Sequence, residues 1–264
     1  MSNALELLKE GNLEAALSAG KGAVRDDPGD PEARAQLFQL FCLNGEWDRA
    51  DAQLDALLTS ANQQAPIWKQ FQILMKLEHQ RLDCHQKAEA PPIVGEPADW
   101  MAPFAKAFEM HQSGDIAGGA ALRAEALDNA SASAGRIGDV EFGWLMDGDG
   151  RYGPMLEAFL PTEGDYCWVP FSTLTSLRVE KPVQVNHFVW IPAHFTWSDG
   201  RVLHGYVPTR YVGSEGGDAN LALARGTEWA DAGSDVFTGI GQRVLMSADD
   251  DFPILEIREA RFQL

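Results

Sequence analysis

A short pattern that starts with glycine occurs twice in the first half of the chain, 34 residues apart. The first copy reads GNLEAA from Gly11, and the second reads GEWDRA from Gly45. Apolar residues stay in phase at the same offset, as in the pairs Leu7 and Phe41, Leu13 and Trp47, and Ala16 and Ala50. Glycine allows the chain to reverse between two helices, and 34 residues is the tetratricopeptide period. The first half is therefore predicted to be a stack of helical hairpins.

A third hairpin is predicted around Gly114, which follows Gly45 by 69 residues, or nearly two periods. The apolar stretch from Ile67 to Leu77 is predicted to form a helix between the second and third hairpins. The consecutive prolines Pro91-Pro92 disfavour a helix, and they predict a loop over about residues 82–99 that interrupts the array. These boundaries define a predicted tetratricopeptide-like repeat domain at residues 1–134.

The second half of the chain has the pattern of a β domain. Short runs rich in aromatic and β-branched residues are separated by Gly, Asp and Pro after residue 134. The predicted strands include Met155–Leu160, Val183–Ile191, Val202–Val207 and Leu221–Ala224. The fold class is therefore α+β, with helical hairpin repeats followed by a mainly antiparallel β domain, barrel-like or sandwiched, at residues 135–264.

Charge and cysteine content narrow the classes of function. The chain has 21 basic and 39 acidic residues, a net charge of -18, which repels nucleic-acid phosphates and favours basic partners. Three cysteines, Cys42, Cys84 and Cys167, are too few and too scattered for a disulfide framework and indicate a reducing compartment. We find neither a signal peptide nor a long apolar segment, so the protein is expected to be cytoplasmic and not inserted in a membrane.

The turn at residues 147–157 carries the densest group of charged residues. Its spacing resembles part of a calcium loop, but Arg151 stands at the third acidic position and would repel a cation. A buried polar network that fixes the β domain is predicted instead. Its predicted members are Asp147, Asp149, Arg151, Glu157, Arg210, Arg225, Glu228 and Arg243. His79 and the Cys84-His85 pair lack the spacing of a zinc site and are predicted to be solvated helix surface.

Six strings together carry a family resemblance. They are LFCLNGEWDRA at 40–50, FGWLMDGDGRYGPMLE at 142–157, YCWVPF at 166–171, VPTRY at 207–211, RGTEW at 225–229 and GIGQR at 239–243. On these strings nearly the whole chain resembles the ImpE family, also called TagJ or SciE, an accessory protein of the bacterial type VI secretion system.

The resemblance implies a non-enzymatic adaptor with no catalytic residue, cofactor or metal. The implied partner is the small subunit of the contractile sheath. The resemblance leaves open whether the adaptor influences sheath assembly or sheath disassembly by the ClpV ATPase. A helical array leaves a groove for the apolar face of a partner's amphipathic helix, here the N-terminal helix of that subunit. The candidate groove residues are Phe38, Phe41, Trp47, Trp68 and Phe71. A different partner in the same machine would use the same groove.

A second hypothesis places an uncharacterised hydrolase or metal-dependent enzyme in the β domain, because Asp, Glu, Arg and His cluster in its turns. Under this hypothesis Asp149→Ala abolishes a turnover and leaves the domain folded. A structural role for Asp149 instead predicts a loss of about 1–3 kcal/mol of stability.

Overall fold

The computed structural model describes residues 3–59, 66–215 and 218–263. Within these ranges seven helices precede the β half, and one short helix lies inside it. The helices are α1 Asn3–Lys9, α2 Leu13–Asp26, α3 Pro31–Asn44, α4 Trp47–Thr59, α5 Pro66–Lys87, α6 Met101–Gln112, α7 Ile116–Asp128 and α8 Ala219–Ala222.

Three of the predicted turns join consecutive helices as hairpins. Gly11, Gly45 and Gly114 have φ angles of 82°, 69° and 95°, in the left-handed region that glycine enters without strain. Residues next to these turns cap the following helices: the side chain of Asn12 accepts from the Ala15 amide, and that of Asp115 accepts from the Gly118 amide. The hairpins α1–α2, α3–α4 and α6–α7 are thus fixed by local sequence, and the repeat prediction is confirmed.

The predicted loop at 82–99 begins too early, because α5 continues to Lys87. The prediction was wrong there because Arg81 and His85 are buried against the β half, which stabilises the last turns of the helix. The helix ends where Ala88 adopts a φ of 55°. The segment beyond it lies along the sheet, since the amide of Val94 donates to the Trp168 carbonyl at 2.8 Å.

The described part of the β half contains thirteen strands in three antiparallel sheets. The strands are β1 Gly135–Ile137, β2 Val140–Phe142, β3 Met146–Asp147, β4 Met155–Leu160, β5 Asp165–Pro170, β6 Leu174–Val179, β7 Trp190–Trp197, β8 Val202–Pro208, β9 Thr227–Asp231, β10 Phe237–Gly241, β11 Val244–Met246, β12 Asp251–Pro253 and β13 Glu259–Phe262. The large sheet has the order β2-β1-β13-β6-β7-β8-β4-β5, and the small sheets have the orders β12-β11-β3 and β10-β9.

The large sheet is covered on both faces, as β4 illustrates. Met155 and Phe159 of β4 belong to a core shared with the helices. Leu156 and Leu160 belong to a second core, which the large sheet shares with β11 and β12. Side chains alternate between the faces of a strand, so a strand buried on both faces is apolar throughout. The α+β class is confirmed, and the helix-side core runs without a break across residue 134.

Two predicted strands were wrong. Residues 185–188 of the predicted strand Val183–Ile191 form a 3-10 turn, and β7 begins only at Trp190. The first two residues of the predicted strand Leu221–Ala224 belong to α8, because the Asp218 side chain accepts from the Asn220 amide and caps a helix there. Periodicity does not distinguish a strand from a helical turn in apolar runs this short.

We predict that Gly45→Ala destabilises the protein more than Gly114→Ala. Both residues have positive φ, so each alanine costs about 1–2 kcal/mol of backbone strain. An added Cβ at Gly45 also overlaps the side chain of Glu215 from the β half, whereas nothing lies within 4 Å of one at Gly114. The overlap adds about 1–3 kcal/mol. Urea unfolding of both variants measures the difference, and equal losses would show that the β half yields at Gly45 without cost.

Candidate functional site

One face of α5 changes from apolar to charged along its length. Phe71 and Leu74 lie in the helix-side core, and the same stripe continues with Glu78, Arg81 and His85. Alternating steps of three and four residues keep these five side chains on one helix face. The three polar residues are only 1%, 2% and 9% exposed, so α5 presents two charges and an imidazole to the β half.

Glu157 of β4 is the ion-pair partner of Arg81 from α5. Its carboxylate accepts from Arg81 Nε at 2.9 Å and from Arg81 Nη2 at 3.0 Å, a two-pronged contact. Arg243, from the turn between β10 and β11, donates to the same carboxylate. The hydroxyl of Tyr166 donates to Glu157 Oε1 at 2.5 Å. Glu157 is fully buried, and it joins one arginine from each half of the chain.

Arg243 extends the contact towards β3. Its guanidinium donates to Asp147 and lies 4.8 Å from the ring centroids of both Tyr152 and Tyr211, which are nearly parallel. The Tyr211 hydroxyl donates to Asp147 Oδ1 at 2.8 Å. Aromatic faces attract a guanidinium, so the rings stabilise the arginine after it has lost its water. We call the group Glu78, Arg81, His85, Asp147, Glu157 and Arg243 the ionic seam.

Asp149 anchors the turn that follows β3. It is fully buried, and its carboxylate accepts from the backbone amide and the guanidinium of Arg151. The amide of Gly239 also donates to Asp149 Oδ2 at 2.8 Å, which ties the β9–β10 hairpin to the turn. Both oxygens of this carboxylate thus accept hydrogen bonds from donors of the protein itself.

The pKa of each buried carboxyl group in the seam depends on how many arginines lie beside it. Burial raises the pKa of Glu157, but Arg81 and Arg243 together outweigh it and hold that pKa well below its usual range. Asp147 meets Arg243 alone, and burial raises its pKa to about 6. Burial likewise raises the pKa of Glu78. Burial lowers the pKa of His85 to about 3, so the imidazole is neutral and shares a hydrogen bond with the Tyr152 hydroxyl at 3.0 Å.

Two of the predicted network arginines cap helices and do not pair with the predicted acids. Arg210 donates to the carbonyls of Leu43 at 2.6 Å and Cys42 at 3.1 Å, at the C-terminal end of α3. Arg225 donates to the carbonyls of Leu8 and Lys9, at the C-terminal end of α1. Terminal carbonyls lack partners within their own helix and carry partial negative charge, so they attract a cation.

The remaining predicted network residue, Glu228, lies outside the seam. It is exposed on β9, so it does not take part in the buried network. The sequence prediction also missed members of the seam. Glu78, Arg81 and His85 continue the apolar stripe of α5, and that continuation was the signal available in the sequence. The prediction of a solvated surface is wrong for His85, which contacts Phe108 and Tyr152.

The predicted groove residues pack against the protein's own core. Phe38, Phe41 and Phe71 are at most 4% exposed, and the rings of Phe38 and Phe71 are 5.1 Å apart. Trp47 and Trp68 are half-buried, and their rings contact Trp190 of β7 and Phe71 respectively. The β half thus packs on the array at Trp47, whereas Phe38, Phe71 and Trp68 pack on one another within the array.

An open cleft remains at the N-terminal end of the array. It has a volume of about 550 Å³ and a mainly apolar lining. One wall is formed by Leu5 and Leu8 of α1 and Leu43 of α3, and the other by residues 182–185 and Phe188. Val183 is 74% exposed at this cleft, the highest exposure of any large apolar residue in the described ranges. We call this feature the α1–α3 cleft.

The described ranges offer neither a metal site nor a membrane-spanning helix. We find no group of three or more His, Cys, Asp or Glu side chains there that is arranged to hold a metal ion. In the same ranges no helix has both the length and the apolar character needed to cross a bilayer.

Fold and seam define a class of protein: a tetratricopeptide-like helical array joined through buried ion pairs to an antiparallel β domain. A family model described as ImpE protein matches residues 139–261, and a tetratricopeptide repeat model matches residues 7–72. The type VI secretion system accessory component TagJ of Pseudomonas aeruginosa is 36% identical over 259 residues, which cover 98% of this chain and 90% of TagJ. The chain therefore belongs to the ImpE family, which is also the TagJ family.

A solved structure shares the whole fold. The crystal structure of protein VPA1032 from Vibrio parahaemolyticus superposes with a TM-score of 0.88 at 22% identity. The match covers 100% of this chain and 98% of that one. The arrangement of helical array and β domain thus persists where most of the residues differ.

We predict that Glu157→Gln destabilises the protein by about 3–5 kcal/mol, because it leaves Arg81 and Arg243 buried with too little negative charge. Glu259→Gln is the matched control, since Glu259 pairs with Arg261 at 2.8 Å at the partly exposed surface and such pairs contribute at most about 1 kcal/mol. Chemical unfolding of both variants gives the comparison. Equal losses would contradict a special role of the seam.

We predict that His85→Gln changes how stability depends on pH. The folded pKa of His85 is about 3, below its ordinary 6.5, so its contribution is complete above pH 6.5 and is lost as the pH falls towards 3. The Asp147 pKa of about 6 acts in the opposite direction between pH 6 and 4, because the folded state takes up that proton first. The wild-type loss from His85 is therefore masked.

The informative quantity is the stability of His85→Gln minus that of the wild type. It should rise by about 1.4 kcal/mol for each pH unit as the pH falls from 6 to 4, since the variant lacks the group that resists protonation. Unfolding curves in urea at several pH values measure this difference. A constant difference over that interval would mean that His85 is not held neutral.

Proposed function

We propose that this protein is a non-enzymatic adaptor of the type VI secretion system that binds the N-terminal helix of the sheath small subunit. It acts in the cytoplasm, and by holding that helix it influences sheath assembly or disassembly by the ClpV ATPase. The observation that carries the binding site is the α1–α3 cleft, an open and mainly apolar cleft at the N-terminal end of the array.

Family membership supports the cellular role. The relative in Pseudomonas aeruginosa carries the description of a type VI secretion accessory component, and it aligns over almost the whole chain. All three cysteines, Cys42, Cys84 and Cys167, are free thiols, as suits a reducing compartment.

The shape of the α1–α3 cleft supports a helical ligand. Its mainly apolar lining suits the apolar face of an amphipathic helix. Leu5 and Leu8 lie almost one turn apart on α1 and both line the cleft. Side chains of a second helix can pack between them. Amphipathic helices bind such grooves through apolar anchors spaced by three or four residues.

The walls of the cleft are held before any partner arrives. Arg225 donates to the last carbonyls of α1, which fixes the end of the helix that forms one wall. The amide of Val183 at the opposite wall donates to His187 Nδ1 at 3.3 Å. A preformed site loses little conformational entropy on binding, so a modest contact area is enough for measurable affinity.

We predict that Val183→Glu weakens binding of the sheath small subunit's N-terminal helix by about tenfold, because it places a carboxylate in the apolar cleft. Val202→Glu is the matched control: Val202 is also an exposed valine, 51% accessible on β8, and it does not line the cleft. Both variants add one negative charge, so long-range attraction changes equally. Fluorescence anisotropy of the labelled peptide, titrated with the full chain, measures the affinity.

The two failures of this experiment have different meanings. If the peptide does not bind the wild type at high micromolar concentration, the proposed partner is wrong. If the peptide binds and both variants bind it equally well, the partner stands and the α1–α3 cleft is not its site.

A further inference from the structure

The outer strand of the β9–β10 hairpin is open to solvent. Four consecutive residues of β9, from Glu228 to Asp231, are exposed. Two large aromatic side chains accompany them, since Trp229 is 39% and Phe237 is 48% exposed. These residues take part neither in the ionic seam nor in the α1–α3 cleft, and the function proposed above leaves them without a role.

The hydrogen-bond pattern shows which backbone groups of β9 face outwards. The amide of Ala232 donates to the Val236 carbonyl, which makes these two residues a hydrogen-bonded pair. From there along β9, pairs that are hydrogen-bonded to β10 alternate with pairs that are not. Trp229 and Asp231 lie opposite Gly239 and Phe237 at positions where the backbone groups point away from the partner strand. The amides and carbonyls of Trp229 and Asp231 have no partner among the described residues.

The hairpin is held rigidly from behind. The inner edge of β10 is bonded to the turn after β3, since the Gly239 amide donates to Asp149 and the Gly150 amide donates to the Phe237 carbonyl at 2.8 Å. The Gly241 amide donates to Ser214 Oγ at 2.7 Å. The free edge is therefore preformed, and a strand that pairs with it does not have to order β9 first.

Charge selects what can pair with this edge. Residues 227–241 contain Glu228, Asp231 and Asp235 and no Lys or Arg. Two copies of β9 paired with each other would bring the acids Glu228 and Asp231 of both copies together, which costs free energy and disfavours a second copy as the occupant. An incoming strand that carries lysine or arginine instead meets opposite charge.

We infer that β9 accepts an extended basic segment of a partner protein as an added β-strand. Its main chain pairs with the outward groups of Trp229 and Asp231. One face of the added strand lies beside Trp229 and Asp231, which share a side of β9, and takes apolar and basic side chains there. The other face lies beside Glu228 and takes basic side chains.

The first test uses a short peptide of alternating valine and lysine, with alternating valine and glutamate as its control. We expect the lysine peptide to slow hydrogen exchange at the amides of Trp229 and Asp231 in the full chain, and the glutamate peptide to leave it unchanged. No protection at millimolar lysine peptide, or equal protection by both peptides, would overturn the inference.

The second test compares Asp231→Pro with Asp231→Ala. Both variants lose the carboxylate that accepts from the Gly233 amide at 2.8 Å, and they differ in the outward amide, which proline lacks. We expect Asp231→Pro to bind the lysine peptide about tenfold more weakly than Asp231→Ala, because one strand-pairing hydrogen bond is gone.

The amides of Glu228 and Ala230 face β10, and their protection shows that the hairpin remains folded in both variants. Equal peptide affinities of the two folded variants would overturn strand addition. Sedimentation that shows the wild type self-associating and Asp231→Pro remaining monomeric would overturn the assigned occupant in favour of a second copy.

Discussion

The carboxylate of Glu157 lies between an arginine from the helical array and an arginine from the β half, and the union of the two halves depends on it. Removing an ion from water costs several kcal/mol even in a relaxed protein interior. Arg81 and Arg243 can be buried only where a carboxylate compensates both, and Glu157 does so from the face of β4 that is turned to α5. Hydrogen bonds from Tyr166 and the rings of Tyr152 and Tyr211 complete the enclosure. A displaced α5 would leave these charges unpaired, so the seam fixes the orientation of the array.

A second set of contacts orders the other end of the array. Arg210 and Arg225 donate to the last carbonyls of α3 and α1, the helices that precede the repeat glycines. The β half therefore contacts two successive repeats at equivalent points. It comes so close to Gly45 that a methyl group there would overlap Glu215. The β half also packs against Trp47 of the array through Trp190, and the α1–α3 cleft remains open at its N-terminal end.

Local signals predicted the repeats well. Gly11, Gly45 and Gly114 adopt positive φ for a reason that lies within their own hairpins, and β4 was predicted with its observed bounds because it is short and apolar between turn residues. Non-local contacts explain the errors. Arg81 and His85 have the composition of a solvated helix, and Glu157, 76 residues beyond Arg81, provides the reason for their burial.

The same limit applies to the candidate site. Composition predicted that the arginines pair with acids, yet Arg210 and Arg225 donate to carbonyls at helix ends. No sequence pattern indicates which helix ends lie close to these two arginines. Phe38, Phe41 and Phe71 have the spacing of a groove, and a side chain on a groove has the same sequence signature as one in a core. In the folded protein Phe38 and Phe71 pack on each other, which places them in the core.

The continuity of the helix-side core across residue 134 bears on how this protein can be divided. Secondary structure changes there from helix to strand, so residue 134 would be a usual choice for truncating the chain. A fragment that ends at that point would leave Arg81 without Glu157 and Glu78 without the indole of Trp190. Such a fragment would expose core surface to solvent. Part of the ligand binding that it shows would then be non-specific binding to that surface. Residues from both sides of that point contribute to one core, so a cut there divides the core itself.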